Sequence, residues 1–483
     1  MDHGAVRTRA LNLSERARAS RVLLAACLGL ACVCGVACGP RSDAGEAPLH
    51  LVLVTVEGLR ADRVVPGGLD RRPLRPASNP EVRLEGRGYG FQDLLERGVT
   101  FANAYASSPA LAPALASLHS GRSPIEAGLE RDGEWLPGEQ ATLAELCGAA
   151  GFATAAFAFD PRGELKEAFD QGFQGFASCA DDAEVLARAL GWLRARDAGA
   201  EQRSFVWIHL GGPSFPLRAP SADESPAPAW LEARGAVRPE QVDPARSAEL
   251  ASAPLDDPAR RAAVELAYDR AVWRLEADLA GALEQAYDPF QPQAEASEAW
   301  PRTAFVLCGV APTMLFERGV AGAAPSLCET RLRAPLVLHH PDSLPGGRIE
   351  DLLVDLADLR ATCLEWLRLD DPRDGATPSL FAQLDGRAPR REWLACAYDR
   401  VFSVRDAHLR LVWNPLKKRW HGQAAGEPTA EVERLHEIAL DPFATRDLAA
   451  GRPDDARRMQ ALVKRWRESL RSFPPHKKPR RDP

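Results

Sequence analysis

The sequence lacks any cysteine spacing suited to a metal. Beyond residue 38 its cysteines are Cys147, Cys179, Cys308, Cys328, Cys363 and Cys396, none of them in a CxxC or zinc-like pair. Several sit inside apolar runs and read as buried free thiols. A surplus of positive charge is also missing. Sixty Lys and Arg against 67 Asp and Glu leave a net charge of −7, so the composition makes no case for nucleic acid. The basic end, HKKPRRDP, is short and broken by proline, and reads as a solvated tail.

A long apolar run is absent as well. Residues 22–39, VLLAACLGLACVCGVACG, fall short of a comfortable membrane span, which takes about 20 apolar residues. They follow Arg7, Arg9, Arg16, Arg18 and Arg21, the order of an export signal. The small residues before Cys38 resemble a bacterial lipobox, so Cys38 is the expected lipidation site. LAAC ending at Cys27 matches the lipobox better but leaves few apolar residues before it, and a plain signal peptide or an N-terminal anchor helix are the alternatives. The expectation is an exported cell-envelope lipoprotein, in the periplasm or on an outer-membrane face, held to the membrane by its lipid.

What is present is ordinary globular composition, 45% apolar and 26% charged. Apolar runs at 49–58, 152–160, 204–212, 303–312 and 334–341 are short and apolar nearly throughout, as strands buried on both faces are. Helical patterns lie between them. Val264, Tyr268, Leu275, Leu279 and Leu283 form one stripe, and TLAELCGAAG opens on a capping box at Thr142 and ends at Gly151. The alternation predicts an α/β fold, a mostly parallel sheet flanked by helices. From about residue 375 the pattern becomes short strands and a closing helix, a smaller C-terminal α+β unit of antiparallel sheet plus helix. The expected plan is an export segment at 1–38, a linker at 39–48, a main domain at 49–374 with an exposed insertion at 213–260, a C-terminal subdomain at 375–472 and a tail at 473–483.

Several segments, in order, resemble the sulfatase family. LVLVTVEGLRADRV is similar to its opening strand, V-T-x-D-D-L-R-A-D. FQDLLERGVTFANAYASSPALAPALASLHSGRSP resembles the signature region, L-x-x-x-G-V-x-F-x-N-A-Y and then C/S/T-x-P-S-R-x-S-L-x-T-G. TLAELCGAAGFATAAF, WIHLGGPSFP, CETRLRAPLVLHHP and RLHEIALDPFATRDLA resemble later family elements, so the likeness runs from residue 51 to about 465. It implies the alkaline-phosphatase-like fold. It also implies a formylglycine nucleophile made from Cys or Ser, a Ca²⁺ or Mg²⁺ ion held by carboxylates, and Lys, His and Arg groups around the sulfate.

Matched position by position, the scaffold is kept and the chemistry is not. Leu59, Arg60, Ala61, Asp62, Ser117, Gly121, Arg122, Arg333, Pro335, Asp441 and Pro442 agree with the family. The nucleophile position is Leu111, the following Ser and Arg are Ala114 and Leu115, and the His of the P-H-x-P element is Ser214. The metal-ligand positions are Glu57, Gly58, Val310 and Ala311, with one carboxylate among them. The family's Lys and His fall near Phe159 and Pro161, and a later Lys near Ala324. A residual pocket would rest on Glu57 and His209. His119 reads as a satisfied structural histidine, Asp62 as a tie at the strand corner, and Glu317 with Arg318 as a solvated loop pair. Ser107, Ser108 and Ser117 are the serines available as a displaced nucleophile. His339 and His340, at a strand end, read as surface or loop contacts.

The expectation is a sulfatase-family protein without sulfuric ester hydrolase activity, holding no cofactor and serving in binding or scaffolding. The alternative is an active sulfatase or phosphoesterase with rearranged ligands. A module for sulfated glycans would need a basic rim, and only scattered arginines are present.

Overall fold

The computed structural model describes residues 47–65, 94–95, 97–197, 202–215, 217, 258–286, 302–317, 321–323, 326–340, 343–344, 346–373, 377–415, 433–441 and 444–470. Cys38 and the export segment, Ala324, Arg318, Pro442, the basic tail and most of the expected 213–260 insertion lie outside these residues.

The strands are β1 (His50–Glu57), β2 (Val99–Tyr105), β3 (Ala153–Phe159), β4 (Gly175–Cys179), β5 (Ser204–Leu210), β6 (Thr303–Val310), β7 (Met314–Leu315), β8 (Ala321–Gly322), β9 (Leu336–His339), β10 (Arg348–Asp355), β11 (Leu394–Tyr398), β12 (Val401–Arg405), β13 (Leu409–Trp413) and β14 (Glu433–Glu437). Eight of them form one sheet in the order β10-β2-β9-β6-β1-β5-β3-β4, parallel except for β9. β11 to β14 form a separate antiparallel sheet, and β7 with β8 a small ribbon. The expected main sheet and smaller α+β unit are the architecture observed.

β1 runs down the middle, parallel to β5 on one side and β6 on the other. Successive side chains of a strand face opposite ways. Val52, Val54 and Val56 join one apolar layer, and Leu51 and Leu53 join the other. The first layer is covered by α2 (Asp182–Asp197) and α3 (Pro258–Ala286), the second by α1 (Leu111–Ser120), α4 (Asp358–Trp366) and α5 (Leu380–Leu384). The stripe at Val264, Tyr268, Leu275 and Leu279 is buried along α3. On the second sheet lies α6 (Pro453–Leu470), which buries Ala456, Met459 and Val463.

Three strands do not show as apolar runs. β10 alternates half-buried charges, Arg348 and Glu350, with exposed Ile349 and Asp351 because it is the edge of the sheet. β2 keeps polar Asn103, and β4 is the opposite, exposed edge.

Candidate binding pocket at the carboxyl ends of the strands

The turn before α1 is built by its own serines. The Ser107 hydroxyl donates to the Asp355 carboxylate, Ser108 Oγ accepts from the Ala110 amide at 3.3 Å, and Ser117 Oγ donates to the Pro113 carbonyl at 3.1 Å. Each of these hydroxyls has a structural partner. Pro113 is tolerated because it falls in the first helical turn. α1 ends at Gly121, left-handed at φ 65°, whose amide donates to the Ser117 carbonyl at 2.7 Å. At its start the cap position is Ala110, which has no side chain for the orphan amides. Asp132 supplies it from another loop: its Oδ1 accepts from the Ala112 amide at 2.8 Å. Of the two leucines at reactive positions, Leu111 lines a pocket, while Leu115 is fully buried in the second apolar layer.

That pocket encloses about 380 Å³ above the carboxyl ends of β1, β5 and β6, where open α/β sheets place their ligands. Glu57 and Ala311 reach it from the ends of β1 and β6, and Ser214 with Phe215 from the turn after β5. Val310 pairs with Glu57 in the sheet, fully buried, and does not line it. Ala311 is left-handed at φ 46°. Gly58 is closed off. It sits at φ +76°, and a Cβ there would lie 2.7 Å from Thr313 Oγ1 and 2.9 Å from both the Pro213 carbonyl oxygen and Ser214 Cα. No side chain fits without moving backbone.

His209 is not among the lining residues. It is buried on β5 with Nδ1 2.8 Å from Thr55 Oγ1, which also accepts from the Trp207 indole at 2.9 Å. His119 corrects the expectation of a satisfied histidine: neither ring nitrogen has a hydrogen-bond partner among the described residues, and the ring packs edge-on to Trp207 at 4.5 Å. Burial pushes His119 down to about 3 and His209 to about 4, so both stay neutral near pH 7. His339 and His340 are buried rather than on the surface, and they make loop contacts, His339 Nδ1 3.2 Å from the Arg97 carbonyl oxygen and His340 Nδ1 accepting from the Ser343 amide at 3.1 Å. Phe159, near which the resemblance sets a Lys, lays its ring against Gly211.

Beside the expected Glu57, the charged part of the pocket comes from residues no motif singled out. Arg331 is 3% exposed, and its Nη1 donates to the carbonyls of Ala311, at 2.7 Å, and Pro312. Nη2 reaches the Ala323 carbonyl at 3.3 Å, while Nε has no partner among the described residues. Burial pushes the guanidinium down to about 10, against the attraction of Asp132 and Glu57, so it remains charged. Asp132 is exposed at the mouth; the surrounding protein raises its carboxyl, opposed by the Ala112 and Leu111 amides. Its neighbour Arg131 is paired to Asp399 at 2.6 Å, and Tyr398 closes the wall from the second sheet. The one sequence signal for Arg331 is its place inside the apolar CETRLRAPLVL run, where a buried charge is uncommon.

Beneath the pocket, Arg60 binds Asp62 through two nitrogens at 2.8 and 2.7 Å and Glu317 at 2.6 Å. Asp62 does tie the strand corner. Glu317, expected in a solvated loop, is buried, because the β7–β8 ribbon folds it over Arg60 and its carboxylate also accepts the Leu315 amide at 2.6 Å. Burial alone would raise Asp62, but Arg60 outweighs it and holds the carboxyl at about 2. A second buried node joins the two sheets. Glu329 accepts from Tyr105 and from Arg410 Nε at 2.8 Å, and Arg405 donates to the Tyr105 hydroxyl.

A divalent cation of the Ca²⁺ kind takes about six to eight oxygen ligands, several of them carboxylate. Of the four ligand positions only Glu57 carries one, and Gly58 has no room for another. Among the described residues no group of three His, Cys, Asp or Glu is placed to hold a metal.

No protein-family profile matches the sequence, and neither does any curated protein. Solved structures do. One, a protein in complex with its substrate D-glucosamine-2-N,6-O-disulfate, aligns at TM-score 0.65 and 14% identity, over 90% of this chain and all (100%) of that one. A 2-O GAG sulfatase aligns at TM-score 0.63 and 14% identity, over 88% and 93% of the two chains. The phosphonate monoester hydrolase of Silicibacter pomeroyi aligns at TM-score 0.61 and 17% identity, over 88% and 96%. The chain has the sulfatase fold. At these identities the likeness speaks for the fold alone. Among the described residues no helix is long and apolar enough to cross a membrane.

Proposed function

We propose that this chain is an exported sulfatase-fold protein that binds a small ligand in the old catalytic pocket and does not hydrolyse esters. The observation that carries the reading is the content of one pocket: Leu111 at the nucleophile position, Ala311 and Ser214 at two further functional positions, and the Arg331 guanidinium seated beside Glu57. Leucine has no atom that can attack sulfur or phosphorus or be oxidised to an aldehyde hydrate. The pocket is retained, with a volume at the low end of small-molecule sites, roughly 300–1,000 Å³. Export rests on the Arg-rich start and the apolar run ending at Cys38.

The test is turnover of an aryl sulfate, a phosphate monoester and a phosphonate monoester with Ca²⁺, Mg²⁺ or Mn²⁺. The expected rate equals that of Glu57→Ala. Turnover that depends on Glu57 would overturn the reading. Mass spectrometry of the membrane fraction is expected to find the lipid on Cys38, and an unprocessed N-terminus would remove the anchor.

A further inference from the structure

The pocket differs from an anion site in sign. Two carboxylates, Glu57 and Asp132, face two guanidiniums, Arg131 and Arg331, and Arg131 is already paired with Asp399. The Ala112 amide, which an entering anion would meet at the N-terminus of α1, is occupied by Asp132. An anion therefore meets a carboxylate where it needs a donor, and a cation meets the Arg331 guanidinium. An uncharged ligand meets neither penalty.

The remaining hydrogen-bonding capacity is mixed. Among the described residues Arg331 Nε has no partner, on a side chain only 3% exposed that lines the pocket. Asp132 stands beside it as an acceptor, with one oxygen on the Ala112 amide at 2.8 Å, so donors and acceptors lie side by side. A hydroxyl is both donor and acceptor and satisfies such a pair, and its bonds to charged groups are the stronger kind. Leu111 and Phe215 add an apolar face for the carbon skeleton of the ligand.

We infer that the pocket takes an uncharged, hydroxyl-rich small molecule, an unmodified saccharide or cyclic polyol, held between Asp132 and Arg331, and that it discriminates against the sulfated form. This rests on the binding reading above and names its ligand class.

The probes are neutral hexoses and inositol, the matching hexose 6-sulfates and hexosamines, titrated by calorimetry and saturation-transfer NMR against the full chain. A neutral probe is expected to bind at least about tenfold more tightly than its sulfate and its amine, roughly 1.4 kcal/mol. Asp132→Asn keeps an acceptor for Ala112 and so the fold, checked by thermal melt. It is expected to narrow the gap between neutral and sulfated probes about tenfold, which a purely structural Asp132 would not do. Arg331→Met is expected to weaken the neutral probe. Equal or tighter binding of a sulfate or an amine overturns the ligand class, and so does the absence of binding by every neutral probe. Neither result touches the hydrolysis assay, which decides the underlying reading separately.

Discussion

Asp132 Oδ1 accepts a 2.8 Å hydrogen bond from the Ala112 amide, so a carboxylate of the chain itself fills the N-terminus of α1. The cap is worth measuring because Ala110, at the cap position, supplies none. Asp132→Ala is expected to cost about 1 kcal/mol of stability, and Asp132→Asn far less. Chemical denaturation of the two variants side by side checks this.

Leu111→Cys restores the residue type of the family's nucleophile and nothing else. With Gly58 and Ala311 unchanged and Arg331 still bonded to the Ala311 carbonyl, no sulfatase turnover is expected. The variant should melt with the parent, since Leu111 is only partly buried. An aryl sulfate assay on protein coexpressed with a formylglycine-generating activity is the measurement.

The Arg60 node is the most buried charge beneath the pocket. Removing one partner leaves another buried and unpaired, at a cost of about 3–5 kcal/mol. Arg60→Met, which strands Asp62 and Glu317, is expected to fall in that range. Replacing all three groups by apolar ones should cost less than Arg60→Met alone, and urea melts distinguish the two.

Two carboxyls give opposite pH dependence. Burial would raise Glu329, but Arg410 and Arg405 hold it at about 2 against an ordinary 4.5, so its stabilisation is complete above pH 4.5 and drains away toward pH 2. Asp355 is raised by burial and by Asp358 to about 6 from 3.8, so the folded state holds that proton more tightly and stability falls as pH rises from 3.8 to 6. Thermal melts across pH are expected to show Glu329→Gln flattening the acid limb. Asp355→Asn should flatten the interval between 3.8 and 6 and leave the acid limb intact.

Much of the fold is legible in the chain because a strand covered on both faces is apolar nearly throughout. The runs at β1, β3, β5, β6 and β9 announce themselves for that reason. β10 does not, because an edge strand is covered less and accommodates Arg348, Glu350 and Asp351 among its residues. Of the pocket, Glu57 is legible as an expected residue, and what else is legible shows only by comparison with a family pattern. Leu111, Ser214 and Ala311 stand out as absences against a family pattern. Arg331 and Asp132 match no pattern, and they come together only when the chain folds, 199 residues apart by subtraction of their numbers. Glu317 was hidden for the same reason: its partner Arg60 is far away in sequence, and a loop glutamate carries no mark of burial.

The left-handed corner at Gly58 has a consequence for the whole rim of the pocket. A side chain there would meet Thr313 on one segment and the Pro213–Ser214 backbone on another. Position 58 therefore couples the turn after β5 to the turn after β6, and a substitution at this one point would be felt in both.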